Sequence, residues 1–276
     1  RVKIEIKQEL TLERQAFDAH MRISNGLTHI ALQDVRVTVN FADEQRNPVI
    51  ASSDRTSKTA LFFIALPSME NINNVDGSGA VAPATTAVIH WLIIPTVGAS
   101  KGAPQGTLYY VGATLTYKIG GEEHVTEVTP DYIYVKPLPT IALDYFLPQD
   151  VYGDDAFTAD IEPPVPFSLG VRVSNNGEGV AKKLKISSAQ PKIVKNQGGL
   201  LIGFVIEGSA VTGSPATPSL LADFGDIPPN GSGVARWIMT CSLSGRVGEF
   251  KPASTHSAEL GGALTSLFEA PVTHFL

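Results

Sequence analysis

The sequence predicts an all-β protein made of two consecutive copies of one antiparallel β-sandwich. Short runs alternate apolar with polar residues, glycine and proline punctuate those runs, and one set of motifs returns about 150 residues later.

Alternation is plainest in Val2–Gln8 (VKIEIKQ), Val35–Phe41 (VRVTVNF), Phe167–Ser174 (FSLGVRVS) and Leu184–Ser187 (LKIS). Successive strand side chains point to opposite faces, so this period gives one buried and one wet face. Between such runs stand Asn25-Gly26, Gly120-Gly121, Asn176-Gly177 and Asn230-Gly231, pairs that supply the positive φ of tight turns. With 25 glycines and 19 prolines, long helices have little room. The two mildly helical stretches, Leu10–Met21 and Pro218–Phe224, are short and uncapped.

Repetition sets the domain count. Arg22–Gly26 (RISNG) resembles Arg172–Asn176 (RVSNN) at an offset of 150, and Gly79–Ile93 aligns without gaps on Gly225–Met239 at an offset of 146. Each half reads as a strand ending in Arg-x-Ser-Asn, a turn, an alternating strand, a variable middle, then Gly-x-φ-x-Pro, a short polar loop, and a long strand centred on tryptophan. The boundary falls after Val135–Pro139, giving domains 1–139 and 140–276. At 276 residues the chain is long enough for two such cores. Trp91 shares a strand face with Ile89 and Ile93, and Trp237 shares one with Ala235 and Met239. Both indoles are expected to fill the space between two sheets.

Composition excludes several classes. A net charge of −6 with 17% charged residues offers no basic field for nucleic acid. Cys241, the one cysteine, cannot form an intrachain disulfide, and no Cys/His spacing suggests zinc. The low thiol count leans toward an extracellular setting. No apolar run reaches the length of a membrane span, so no direct membrane insertion is expected; a signal or anchor would lie outside this stretch.

At the repeated motifs the sequence resembles the bacterial Ig-like modules that include CARDB-type adhesion domains. Their pattern, an early strand with a φ-x-φ-x-N turn followed by L-x-P-G-x-S and a long outer strand, is similar to VRVSNNGEGVAKKLKI (171–186) and FGDIPPNGSGVARWIMTCSL (224–243). The first copy matches less closely, with Ala84 and Thr85 where a Pro-Gly or Pro-Asn-Gly turn is expected. The resemblance implies two tandem immunoglobulin-like antiparallel β-sandwich domains, an extracellular or cell-surface location, and a place in a larger protein. The ending FEAPVTHFL reads like the start of a further segment.

Candidate sites are few. Gly98–Gly102 (GASKG) matches the G-x-S-x-G pattern of a serine nucleophile, but it lies between two strand patterns where that chemistry needs strand, turn and helix. A hairpin loop is the simpler reading. His20, His29, His90, His124, His256 and His274 form no HxH or HExxH pair. Tyr109 and Tyr110 are adjacent, so one of them faces outward from a strand; that one offers a sugar-stacking or protein-binding ring, against plain cross-strand pairing. Asp150, Asp154, Asp155 and Asp160 lie in a long loop after the second domain's first strand. A solvated loop and a Ca²⁺ site both fit; the loop lacks the D-x-[DN]-x-[DN]-G ladder. Catalytic carboxylates would need a cleft that a connection between strands does not provide.

These readings predict a non-catalytic structural or adhesion module, acting as a spacer or protein contact, self-association and a surface fibre included. No cofactor is expected beyond the Ca²⁺ candidate. The alternative is a carbohydrate-binding accessory module using Tyr109 and Tyr110.

Overall fold

The computed structural model describes residues 2–187, 192–195, 202–215, 217, 219, 221–249, 253–257 and 268–276. All regular structure among them is strand, and no helix occurs. The chain divides into two compact units, Arg1–Pro137 and Leu138–Leu276.

The first unit holds β1 (Val2–Ile6), β2 (Leu10–Leu12), β3 (Phe17–Ser24), β4 (Leu32–Asp43), β5 (Pro48–Val49), β6 (Ala51–Ser52), β7 (Phe62–Glu70), β8 (Asp76–Val81), β9 (Thr86–Pro95), β10 (Thr107–Ile119) and β11 (Glu122–Lys136). One sheet runs β1-β3-β9-β7-β6, the other β2-β11-β10-β4-β5 with β8 also on β4. Gly120 and Gly121, both with positive φ, close the β10–β11 hairpin. Ile4, Met21, Ile89 and Trp91 from the first sheet and Phe41, Tyr109, Leu115 and Ile133 from the second enter one hydrophobic core. Alternation outweighs the helical pattern of Leu10–Met21: its apolar residues serve β2 and β3.

The second unit holds β12 (Ile141–Leu147), β13 (Asp150–Val151), β14 (Phe167–Asn175), β15 (Ala181–Ser187), β16 (Lys192–Lys195), β17 (Phe204–Val211), β18 (Leu221–Ile227), β19 (Ser232–Cys241), β20 (Gly245–Glu249), β21 (Ala253–Ser257) and β22 (Val272–Phe275). A five-stranded sheet runs β17-β19-β14-β12-β22; two three-stranded sheets run β13-β20-β16 and β18-β15-β21. The long pairs are antiparallel. Three short edge strands, β2, β6 and β22, instead pair in parallel with β11, β7 and β12, so the sheets are mixed. β2 and β22 approach their partners from distant parts of the chain, and the loop of about ten residues between β6 and β7 is no tight hairpin, so no two-residue turn dictates direction.

The two halves repeat one pairing register. In the first, Phe17 faces Ile93, Ala19 faces Trp91 and Ser24 faces Thr86 across β3–β9. In the second, Phe167 faces Met239, Leu169 faces Trp237 and Ser174 faces Ser232 across β14–β19, with the same offsets of 150 and 146 residues that align the sequences. Trp91 is 4% exposed and Trp237 fully buried.

A buried asparagine fixes each copy. Asn25 donates through Nδ2 to the carbonyls of Ile30 (2.9 Å), Val81 (3.2 Å) and Ala82 (3.1 Å), and its Oδ1 accepts from the Leu27 N–H at 3.1 Å. Asn175 donates to Gly179 (2.7 Å), Ile227 (3.1 Å) and Pro228 (3.1 Å), and accepts from Gly177 (3.1 Å) and Thr140 (3.2 Å). Val81 and Ala82 are the repeat equivalents of Ile227 and Pro228. One amide thus ties the end of β3 or β14 to the turn that launches the tryptophan strand. That turn has the same backbone twist in both copies, since Ala84 has φ 52° and Asn230 φ 56°. The first copy makes it without the expected glycine or asparagine, at the steric cost an alanine bears in left-handed space.

Candidate functional site

The acidic loop is held by its own hydrogen bonds and by strands far along the chain. Asp150, in β13, forms a two-pronged ion pair with Arg246 of β20 at 2.9 and 3.2 Å. The guanidinium holds this carboxyl below the usual carboxylate range. Asp154 accepts from the Glu162 N–H at 2.9 Å, while the Asp155 N–H donates to the Glu162 carboxylate at 2.6 Å. Asp155 also accepts from the Phe157 N–H at 3.0 Å, and Asp160 lends only its backbone carbonyl, to Thr158 at 3.0 Å. Gly153 presses so closely on the end of β19 that a Cβ would lie 2.5 Å from the Cys241 carbonyl. The four aspartates do not converge. Among the described residues no three His, Cys, Asp or Glu side chains are grouped so as to hold a metal ion.

Ser100 is fully buried, and its hydroxyl donates to Glu13 Oε1 at 2.7 Å. The same oxygen accepts from the N–H groups of Gly98 (2.8 Å) and Ser100 (2.9 Å). The loop Gly98–Gly102 therefore wraps a carboxylate that itself needs donors, because burying it unpaired would be prohibitive. Ser100 bonds a carboxylate and not a histidine, so the geometry of a nucleophile is missing. The motif is a structural turn, and Glu13, which fixes it, carries no signal in a lone sequence.

Tyr109 is a correction to the sequence expectation. It is fully buried, its hydroxyl donates to the Ala99 carbonyl at 2.5 Å, and burial pushes its pKa up to about 12. It packs edge-on to Phe62 in the core and has no ring face for a ligand. Tyr110 faces the other way and lines a groove of about 680 Å³ on the outer side of β4, β10 and β11. Its ring carries the Arg46 guanidinium 3.4 Å from the centroid. Other walls are Asn40, Pro48, Glu127 and Pro130, over a floor at Gly112. The register shift between Val111 and Ala113 makes the notch by opposing an extra β11 residue to the side-chain-free Gly112. Sequence reasoning finds Tyr110 but misses Arg46, Asn40 and Glu127, which only strand pairing brings to one place.

The histidines are dispersed. His20 and His90 meet across β3–β9 with ring centroids 3.9 Å apart, and burial first, then His90, lowers the pKa of His20. His274 of β22 bonds Asp144 at 3.0 Å, which with Arg172 holds that carboxyl low.

No family model matches the chain, and no curated protein matches it. Three of the solved structures that resemble it do so distantly. A family 123 glycoside hydrolase from Clostridium perfringens aligns at 10% identity and TM-score 0.29, over 50% of this chain and 27% of that one. The secreted serine protease VesC from Vibrio cholerae aligns at 9% and 0.24, over 90% of this chain and 51% of that one. A DUF4785 family protein from Legionella pneumophila aligns at 8% and 0.30, over 94% and 48%. The chain thus spans between about a quarter and half of these proteins, and likenesses this weak carry no argument about activity.

Proposed function

We propose that the chain is a pair of immunoglobulin-like β-sandwich modules with a non-catalytic role, holding position or making protein contacts within a larger extracellular or cell-surface protein. The observation that carries this reading is the duplicated asparagine clamp, with one pairing register around it. The polar residues that sequence alone offers for chemistry support it too, since Ser100 is taken up by Glu13 and Asp150 by Arg246. The resemblance to CARDB-type modules adds the envelope setting as part of the proposal, resting on the motifs alone.

The experiment pairs light scattering and electron microscopy of the intact chain with a panel of hydrolase substrates. Concentration-dependent self-association or ordered assemblies without turnover are the expected result. Turnover that Ser100→Ala abolishes would overturn the non-catalytic reading. A second reading, carbohydrate contact, is favoured by the groove at Tyr110 and loses Tyr109 as a participant.

A further inference from the structure

The groove walls have a specific chemistry. Arg46 sits in the β4–β5 hairpin at φ 67°, in left-handed space that a non-glycine residue rarely takes. The hairpin is braced by Asp43, whose carboxylate accepts from the Asn47 N–H (2.8 Å) and side-chain amide (3.2 Å), and whose carbonyl accepts the Arg46 N–H at 2.9 Å. That bracing lays the guanidinium over Tyr110, a contact that orients the cation without neutralising it. Among the described residues Arg46 has no carboxylate partner. Two rows farther along β10, Thr114 joins Asn40 (2.8 Å) and Glu127 (3.0 and 3.1 Å) across three strands. Tyr110 and Thr114 are four residues apart, about 13 Å along the strand. Between them lie the Gly112 notch and the flat faces of Pro48 and Pro130.

We propose that this groove binds a saccharide carrying a carboxylate, such as a uronic acid residue of an acidic glycan. The inference rests on the carbohydrate reading for Tyr110 and names the sugar class. The unpaired, pre-oriented guanidinium takes the carboxylate as a two-pronged charge-assisted pair. The flat faces of Pro48 and Pro130 take the C–H faces of the rings, Tyr110 holds the guanidinium in place, and Asn40 with Glu127 meets hydroxyls. Glu127 disfavours densely charged ligands such as phosphorylated or polysulfated chains. The groove floor, where β4 and β10 pair with each other (Tyr110 with Ala42, Gly112 with Asn40), offers a peptide no free strand edge.

The test is calorimetric titration of the intact chain with a glucuronate-terminated disaccharide and with its glucose-terminated counterpart. The acid should bind about tenfold or more tightly than the neutral sugar, and Arg46→Gln should erase that preference. Gly112→Val should remove binding of both by filling the notch; a Cβ there meets Pro130 at 3.4 Å, an ordinary contact, and Gly112→Ala is the smaller variant that weakens binding in the same direction. Melting temperatures confirm that each variant folds. Equal binding of the two sugars would overturn the acidic-sugar inference while leaving the carbohydrate reading. Binding of neither sugar would overturn both, and a preference that survives Arg46→Gln would overturn the assigned site.

Discussion

Removing the Asn175 side chain is the sharpest perturbation of this fold. Its two amide N–H groups are shared by three carbonyls, and its Oδ1 accepts two backbone N–H groups. About four net hydrogen bonds at about 0.5–1.5 kcal/mol each give a loss of about 2–6 kcal/mol for Asn175→Ala. The upper half is expected, because Asn175 is fully buried and truncation strands its partners away from water. That is a large share of the roughly 5–15 kcal/mol that stabilises a domain. The assay is urea unfolding in a Trp91→Phe background, so that the buried Trp237 reports on the second unit alone. Asn176→Ala, at the exposed neighbouring position, is the control and should change stability by less than about 0.5 kcal/mol. A loss below about 1 kcal/mol for Asn175→Ala would refute the clamp.

Three further outcomes are expected. Ala84→Asn, which copies Asn230 at the equivalent left-handed position, should stabilise the first unit by about 1 kcal/mol, read as a higher melting temperature; a lower one would show that the backbone there is unstrained. His20 resists protonation in the folded state, so the unfolded chain binds more protons as pH falls below about 6.5. Stability from this residue is therefore full above that pH and declines toward the lowered folded pKa, a slope that His20→Gln should flatten in urea midpoints taken at several pH values. Millimolar calcium should leave the melting temperature unchanged, since the carboxylates of Asp150, Asp154 and Asp155 already serve Arg246 and backbone N–H groups; a rise reversed by chelator would mean that the loop rearranges around an ion.

What was legible in the sequence follows from local physics. Period-two alternation is a property of neighbouring residues, and it reads β1, β4, β14 and β15 directly as strands. The same parity puts Trp91 and Trp237 on faces with their buried neighbours, and the gap-free offsets anticipate the shared register of β3–β9 and β14–β19. Long-range pairing was not legible. Nothing near Asp150 indicates that Arg246, 96 positions away, neutralises it. Tyr109 and Tyr110 carry equal signals, and only the fold decides which ring is buried. Asn25 and Asn175 read as ordinary turn residues, because an asparagine before or near glycine is common in turns, and their burial depends on a loop more than fifty residues downstream.

The central claim is that the two halves are copies of one module acting as mechanical or contact units. Stretching the intact chain in a single-molecule force measurement tests it most directly. Two unfolding steps are predicted, each releasing about 480 Å of chain, the extended length of the 137 residues of Arg1–Pro137 and very nearly that of Leu138–Leu276. One step spanning the whole chain, or two of clearly unequal length, would contradict the account.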